Sequence, residues 1–251
     1  MSRLSLIAAL AVMFASGASA QSSLGVTGIE AGLGGFSQSG GGASFQGAIT
    51  LDVAVTEAHG LQGDLAWVET GRGAVGRIGA HAYMTPLAGR KYGLFGMVGD
   101  LNGRSLTYGA LGIEGMFEVS DRAALGGYTG LGLGSADGLD LIFAGVEGTY
   151  VATGALRLDG GLQVTEYDEA GFRAIGTEAR LALRYAPGGQ PFAATAGVVH
   201  DMLTGRDGAP GETRAEVTLS WRFGTINGRA PTSRPFRTAD PFLPLIRRGL
   251  Y

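Results

Sequence analysis

Apolar residues alternate one by one with small or polar residues in short segments from about residue 45 to residue 223. In the first clear segment, Phe45, Ile49, Leu51 and Val53 share one face, and the residues on the other face are small or polar. Successive side chains of a β-strand point to opposite sides, so this pattern predicts a strand with one apolar and one polar face.

Turn residues separate the alternating segments, for example Gly71 to Gly73 and Ser120 to Arg122. They divide the chain into about twelve strands, give or take two, each long enough for a tilted strand to cross a bilayer. The sequence therefore predicts an all-β fold, a single closed antiparallel up-and-down transmembrane β-barrel. The predicted strands centre near Ile29, Leu51, Leu65, Ala80, Phe95, Leu111, Thr129, Ala144, Leu162, Ala179, Ala196 and Leu219.

Composition agrees with a folded β domain. Glycine accounts for 46 of the 251 residues, and the hydrophobic fraction of 45% is too high for a disordered chain. Many of the glycines fall within predicted strands, where a curved and crowded barrel tolerates them. The net charge of only -3 gives no sign of a nucleic-acid partner. The chain has no cysteine, so it has neither a disulfide nor a lipid-modified N-terminal cysteine.

The N-terminus has the features of a cleaved secretory signal. Arg3 precedes the apolar stretch 4–14, and Ala18, Ser19 and Ala20 fit the small-x-small cleavage rule. The apolar stretch is too short for the roughly 20 residues of a membrane-spanning helix. We therefore predict a signal peptide at residues 1–20, a barrel at residues 21–224 and a C-terminal tail at residues 225–251.

Aromatic residues cluster at the ends of the predicted strands. Aromatic side chains prefer the headgroup level of a membrane, so we expect girdles at the two rims of the barrel. One rim is predicted to hold most of them, and Phe45, Tyr108 and Phe172 belong to the other rim together with Trp67 and Tyr167. The predicted girdle residues are Trp67, Tyr83, Tyr92, Phe117, Tyr150, Tyr185, Phe192, Trp221 and Phe223.

The inward faces of the predicted strands carry charges of both signs. Unpaired buried charges are costly, so these residues are expected to pair across strands, for example Arg157 with Glu178 and Arg184 with Glu216. The arrangement favours a narrow or plugged lumen over a water-filled pore with a charged constriction, because about twelve strands leave little free width. The predicted lumen charges are Asp52, Asp64, Arg77, Arg157, Asp159, Glu178, Arg180, Arg184, Glu216 and Arg222.

The signal, the alternating strands, the aromatic belts and the last strand together resemble the outer-membrane β-barrel proteins of Gram-negative bacteria. Residues 215–223 look like the terminal strand of that family, and Phe223 is its final aromatic residue. The resemblance implies an outer-membrane location and partners of two kinds, outer-membrane lipids and the barrel-assembly machinery during insertion. The chain departs from the family pattern because a tail follows Phe223 and ends at Leu250 and Tyr251.

The tail, residues 225–251, is rich in proline and arginine and also carries apolar residues such as Phe236 and Phe242. We expect a periplasmic extension. The alternatives are that it plugs the lumen, touches an anionic surface or docks on a periplasmic partner.

These features predict a structural protein or a narrow channel for passive diffusion of small solutes, and no enzyme. No catalytic, cofactor or metal-ligand motif is found. One alternative is a lipid-modifying hydrolase with His200 in the longest predicted outer loop, residues 200–213. Another is a soluble periplasmic lipocalin-like barrel.

Overall fold

The protein is a closed antiparallel β-barrel. The structure is a computed structural model that describes residues 25–38, 42–101, 106–135, 139–168, 171–188, 190–224 and 231–251. Each strand pairs with its sequence neighbours, and β1 closes the ring by pairing with β12. The predicted fold class and the number of strands are confirmed, whereas the predicted signal peptide, residues 1–20, lies outside the described residues. The strands are β1 Gly25–Gln38, β2 Ala43–Ala54, β3 His59–Thr70, β4 Gly73–Leu87, β5 Arg90–Leu101, β6 Leu106–Ser120, β7 Ala123–Gly134, β8 Asp140–Val151, β9 Leu156–Asp168, β10 Arg173–Tyr185, β11 Phe192–Thr204 and β12 Ala209–Gly224.

The barrel has two ends that differ in their connections. We call the end where β1 begins and β12 ends the lower end. The opposite, upper end carries the connections from each odd-numbered strand to the next even-numbered strand. Two short helical elements follow β12, a 3-10 turn at Pro231–Ser233 and helix α1 at Leu243–Arg248. In the part of the chain that the structure describes, no helix has the length and apolar character needed to cross a membrane.

The outside of the barrel is apolar, and much of the inside is charged. Leu162 and Leu219 are 44% and 54% exposed on the exterior, while Asp159 and Glu216 on the same strands line an internal cavity. The period of two along each strand explains this division. Such an exterior does not suit the soluble lipocalin-like alternative, which requires a polar outer surface.

Three aromatic predictions are corrected because the residues lie in the lumen. Tyr83 shares its strand face with Arg77 and His81, and its hydroxyl donates a hydrogen bond to Asp52. Tyr108 and Tyr167 are likewise buried inside the barrel near the upper end. Each is an aromatic residue with the parity of an inward face. The other predicted girdle residues face outward: Trp67, Tyr92, Phe117, Tyr150, Tyr185, Phe192, Trp221 and Phe223.

The predicted long outer loop at residues 200–213 is also wrong. β11 continues to Thr204 and β12 begins at Ala209, so only four residues connect them. The sequence contains Pro210 and Gly211, which suggest a turn, but a register irregularity between Asp201 and Leu203 lets the strands continue.

Candidate functional site: the occupied lumen

The lumen of the barrel is occupied by the C-terminal segment, which we define as residues 231–251. At the lower end, Thr232 Oγ1 donates a hydrogen bond to Glu118 Oε1, 2.5 Å away, near the end of β6. At the upper end, Arg248 forms an ion pair with Asp201 of β11, and its carbonyl accepts a hydrogen bond from Arg72. The segment therefore runs along the inside of the barrel from one end to the other.

This placement corrects the prediction of a periplasmic extension for residues 231–251 and agrees with the alternative of a plugged lumen. The physical reason is complementarity. The segment carries arginines that meet the lumen carboxylates and apolar side chains that meet an apolar region of the wall. Neither partner is identifiable from the segment alone.

Phe236 anchors the lower half of the segment. Its backbone N–H donates to Gln62 Oε1, and its carbonyl accepts from Gln62 Nε2, with both contacts at 2.8 Å. Its ring stacks on His81 and meets Tyr83 edge-on, while the ammonium of Lys91 lies 4.0 Å from the Tyr83 ring centre and 4.5 Å from that of Phe236. One glutamine thus satisfies both backbone polar groups of a buried residue that no strand could pair.

Ion pairs join the segment to the wall on several sides. Arg234 Nη2 lies 3.1 Å from Glu147 Oε1, and Arg237 Nη2 lies 3.3 Å from Glu178 Oε1. A third pair has the opposite polarity, with Arg77 on the wall and Asp240 on the segment. Because these pairs are largely shielded from water, removing one partner costs more than at a surface.

Asp240 links the wall to the start of α1. Its Oδ2 lies 3.0 Å from Arg77 Nη1 and accepts a hydrogen bond from the hydroxyl of Tyr108 at 3.1 Å. Its Oδ1 accepts the backbone N–H groups of Phe242 and Leu243. The carboxylate therefore positions the short helix relative to β4 and β6.

An apolar core fills the upper end around α1. Phe242, Leu245 and Ile246 have no exposed surface, and the Phe242 ring lies 4.7 Å from the ring of Tyr108. The hydroxyl of Tyr167 donates to the carbonyl of Pro241 at 2.6 Å. The wall contributes residues from nearly every side of the barrel: Phe36, Val68, Val75, Phe95, Met97, Leu101, Leu106, Tyr108, Ala110, Leu139, Leu141, Phe143, Tyr167, Ala174 and Leu203.

A charged cavity of about 450 Å³ lies between the segment and the wall formed by β1–β4 and β9–β12. Nine arginines and six acidic residues line it, a formal excess of three positive charges. Arg222 lines it near the lower end, and Arg247 lines it near the upper end, where the guanidinium lies over the Phe36 ring at 4.8 Å. The space can hold a small polar or anionic molecule.

The structure places all ten predicted lumen charges inside the barrel but pairs them differently. Arg157 pairs with Asp159, and Arg184 Nη2 lies 2.5 Å from Glu30 Oε1. Glu178 pairs with Arg214 and Arg237, so the two predicted pairs are wrong. The strand register opposes Arg184 to Arg157, which could not be read from spacing along the chain.

Three buried charged residues of the lumen were missed among the candidates. Lys91 touches the Phe236 ring, Asp201 binds Arg248, and Arg214 pairs with both Glu178 and Asp201. Lys91 is the second residue of β5 and borders a predicted turn, and Asp201 falls in the predicted loop, whereas Arg214 lies on the polar face of the predicted last strand but was not among the candidates. The observed bounds of β5 and β11 place Lys91 and Asp201 on inward faces by the same alternation.

His200, on which the hydrolase alternative rests, faces outward. Its Nδ1 lies 2.9 Å from Thr213 Oγ1, and the side chain is exposed. This arrangement adds no support for a catalytic site.

No protein-family model matches the chain, and no curated protein matches its sequence. Solved structures do resemble it. The NanC porin is 10% identical, with a TM-score of 0.59 over 76% of this chain and 98% of that one. An outer-membrane channel from Pseudomonas putida F1 is 12% identical, with a TM-score of 0.54 over 82% of this chain and 100% of that one.

The KdgM porin, solved in complex with disordered oligogalacturonate, is 9% identical, with a TM-score of 0.53 over 77% of this chain and 99% of that one. At such low identity these likenesses concern the fold. The chain has the closed twelve-strand fold of small porin-like outer-membrane barrels.

Proposed function

We propose that this protein is a narrow outer-membrane channel whose own C-terminal segment restricts the passage of small solutes. The observation that carries the proposal is the path of residues 231–251 along the lumen, from Glu118 at the lower end to Asp201 at the upper end. A segment held by ion pairs and apolar packing fills much of the lumen and leaves a charged cavity of about 450 Å³ beside it.

The exterior supports placement in the outer membrane. Apolar residues such as Leu111 and Ile78 are about two-thirds exposed, at 63% and 66%, which is favourable only against hydrocarbon or another apolar surface. Phe117, Tyr150 and Trp221 face outward near the lower rim, as the girdle of a membrane barrel requires. We place the lower end, where β1 begins and β12 ends, in the periplasm. The neighbours with the same fold are named as porins or channels.

Single-channel recording in planar bilayers tests the proposal, and a disulfide lock tests the role of the segment. The chain contains no cysteine, so an introduced pair has no competitor. A Cβ built on Gly79 would lie 3.4 Å from the Cβ of Thr238, close to the roughly 3.5–4.5 Å of disulfides. The double variant Gly79→Cys with Thr238→Cys therefore joins β4 to the segment.

We expect brief, low-conductance openings from the native chain. The oxidised double variant should open less often, and dithiothreitol should restore the openings. Thr238→Cys alone is the matched control and should not respond to oxidant. Equal currents from the oxidised and reduced forms would show that the segment does not restrict passage. A result in which the native chain and the reduced variant both carry no current, although heat-modifiable gel mobility verifies their folding, would contradict the channel proposal and favour a structural role.

A further inference from the structure

Three arginines, from β9, β10 and β12, lie close enough to repel one another in the lower part of the cavity. Arg157 of β9 lies directly opposite Arg184 of β10 in the strand register, and Arg222 of β12 lies opposite Glu30 of β1. All three arginines line the cavity. Because the three guanidinium groups carry like charges and repel one another, the cluster requires compensating negative charge.

Two carboxylates compensate the cluster only in part. Glu30 is taken by Arg184, whose Nη2 also donates to Ser220 Oγ at 3.0 Å. Asp159 is taken by Arg157, with Nε and Oδ2 2.9 Å apart. The pairs account for two of the three positive charges.

Arg222 is the arginine that is left over. It is only 6% exposed, and its buried Nε has no hydrogen-bond partner. Across residues 25–224 and 231–251, with the gaps stated above, its guanidinium forms no side-chain hydrogen bond and no ion pair within 4 Å; the only carboxylate charge that acts on it there is that of Glu30, which is already bound to Arg184. A buried charge of this kind destabilises a protein unless something else solvates or neutralises it.

We propose that Arg222, with Arg184 and Arg157, forms a binding site for the oxyanion group of a small solute, a carboxylate or a phosphate, in the lower part of the lumen. The guanidinium presents several donors in a plane that matches two oxygens of such a group. Ser220 supplies a hydroxyl beside the same site. As a statement about which solutes enter, the proposal rests on the proposed channel function, but binding itself does not require conduction.

The test is binding of inorganic phosphate to the full chain in detergent. Binding is measured by calorimetry and by the shift of the thermal denaturation midpoint at constant ionic strength. We expect phosphate to raise the midpoint and Arg222→Gln to weaken binding roughly tenfold to a hundredfold, the range expected for one charge-assisted contact. Arg173→Gln is the matched control, because Arg173 is exposed at the upper end and pairs with Asp168. It should bind phosphate like the native chain.

A second variant separates binding from folding. Arg222→Leu removes an unpartnered buried charge, so without phosphate its denaturation midpoint should equal or exceed that of the native chain, while the response to phosphate is lost. A clearly lower midpoint would show that Arg222 stabilises the barrel and would overturn the proposal.

Other outcomes also overturn it: no binding by the native chain, unchanged binding by Arg222→Gln, or an equal response to potassium chloride, which would indicate general screening. Failure of the channel proposal is recognised separately, by silent bilayers with intact phosphate binding.

Discussion

The upper and lower parts of the lumen hold the C-terminal segment in different ways. At the upper end, Phe242, Leu245 and Ile246 pack without exposed surface into an apolar core. Lower down, the segment is held by Gln62 and by the ion pair of Arg234 with Glu147, beside a charged cavity. Apolar packing excludes water and tolerates little rearrangement, whereas polar contacts next to a cavity can be exchanged for water.

The tighter packing at the upper end indicates where the segment is anchored. Residue 224 ends β12 at the lower end, yet the tightest packing is at the upper end, far along the chain from that strand. The segment cannot withdraw toward the lower end without first leaving the apolar core. We therefore expect the apolar core to control how often the lumen is vacated.

A single reporter can compare the two parts. Ala239 is 2% exposed, so a maleimide should label Ala239→Cys only when the segment leaves the wall. When the segment docks and undocks faster than the maleimide reacts, the labelling rate follows the population of the undocked state. Gly154→Cys serves as the reference, because a Cβ there meets nothing within 4 Å and labelling needs no opening.

The largest effect is expected from Phe242→Ala in the reporter background. Loss of a fully buried phenylalanine costs about 3–5 kcal/mol, so the labelling rate should rise by roughly a hundredfold or more. The rate at the Gly154→Cys reference should not change. A rise of less than about threefold would mean that the upper core does not anchor the segment.

A smaller effect is expected from Gln62→Leu, which removes both hydrogen bonds to the Phe236 backbone. Buried groups without partners cost about 1–3 kcal/mol, and water from the cavity can reduce that, so labelling should rise roughly tenfold. Gln46→Leu is the control, since Gln46 is a glutamine of the neighbouring strand β2 that lines the cavity. If Gln62→Leu raised the labelling rate more than Phe242→Ala does, the stronger anchor would lie in the lower part of the lumen and not at the upper end.

The smallest effect is expected from Asp168→Asn at the upper rim. Asp168 and Arg173 form an ion pair at 2.5 Å, but both side chains are more than half exposed. Exposed pairs contribute at most about 1 kcal/mol, and this one does not touch the segment, so labelling should stay within about twofold of the reporter alone. A large rise would show that the upper turns, and not only the lumen contacts, hold the segment in place.

The alternation of residues was sufficient for the barrel and for most of its faces. Leu162 and Leu219 point outward and Asp159 and Glu216 point inward, as the period of two predicts. The same rule, applied strictly, would have turned Tyr83 inward, because it shares parity with Arg77 and His81. That error arose from weighing residue type above parity.

The side-chain pairs across the lumen could not be predicted from the sequence. Arg184 pairs with Glu30, which is 154 positions away along the chain, although the strand register places Arg222 directly opposite Glu30. Such contacts depend on how far each strand slides against the next, and a slide by two residues leaves every face unchanged. The alternating pattern therefore cannot distinguish between such registers.

The closed sheet and its apolar exterior could be predicted from the sequence, because side-chain period and turn chemistry are local properties. Two results required the tertiary structure: residues 231–251 fill the lumen, and within the described ranges the buried Nε of Arg222 has no hydrogen-bond partner. Both outcomes depend on the shape and charge of an interior that exists only after twelve strands have closed around it.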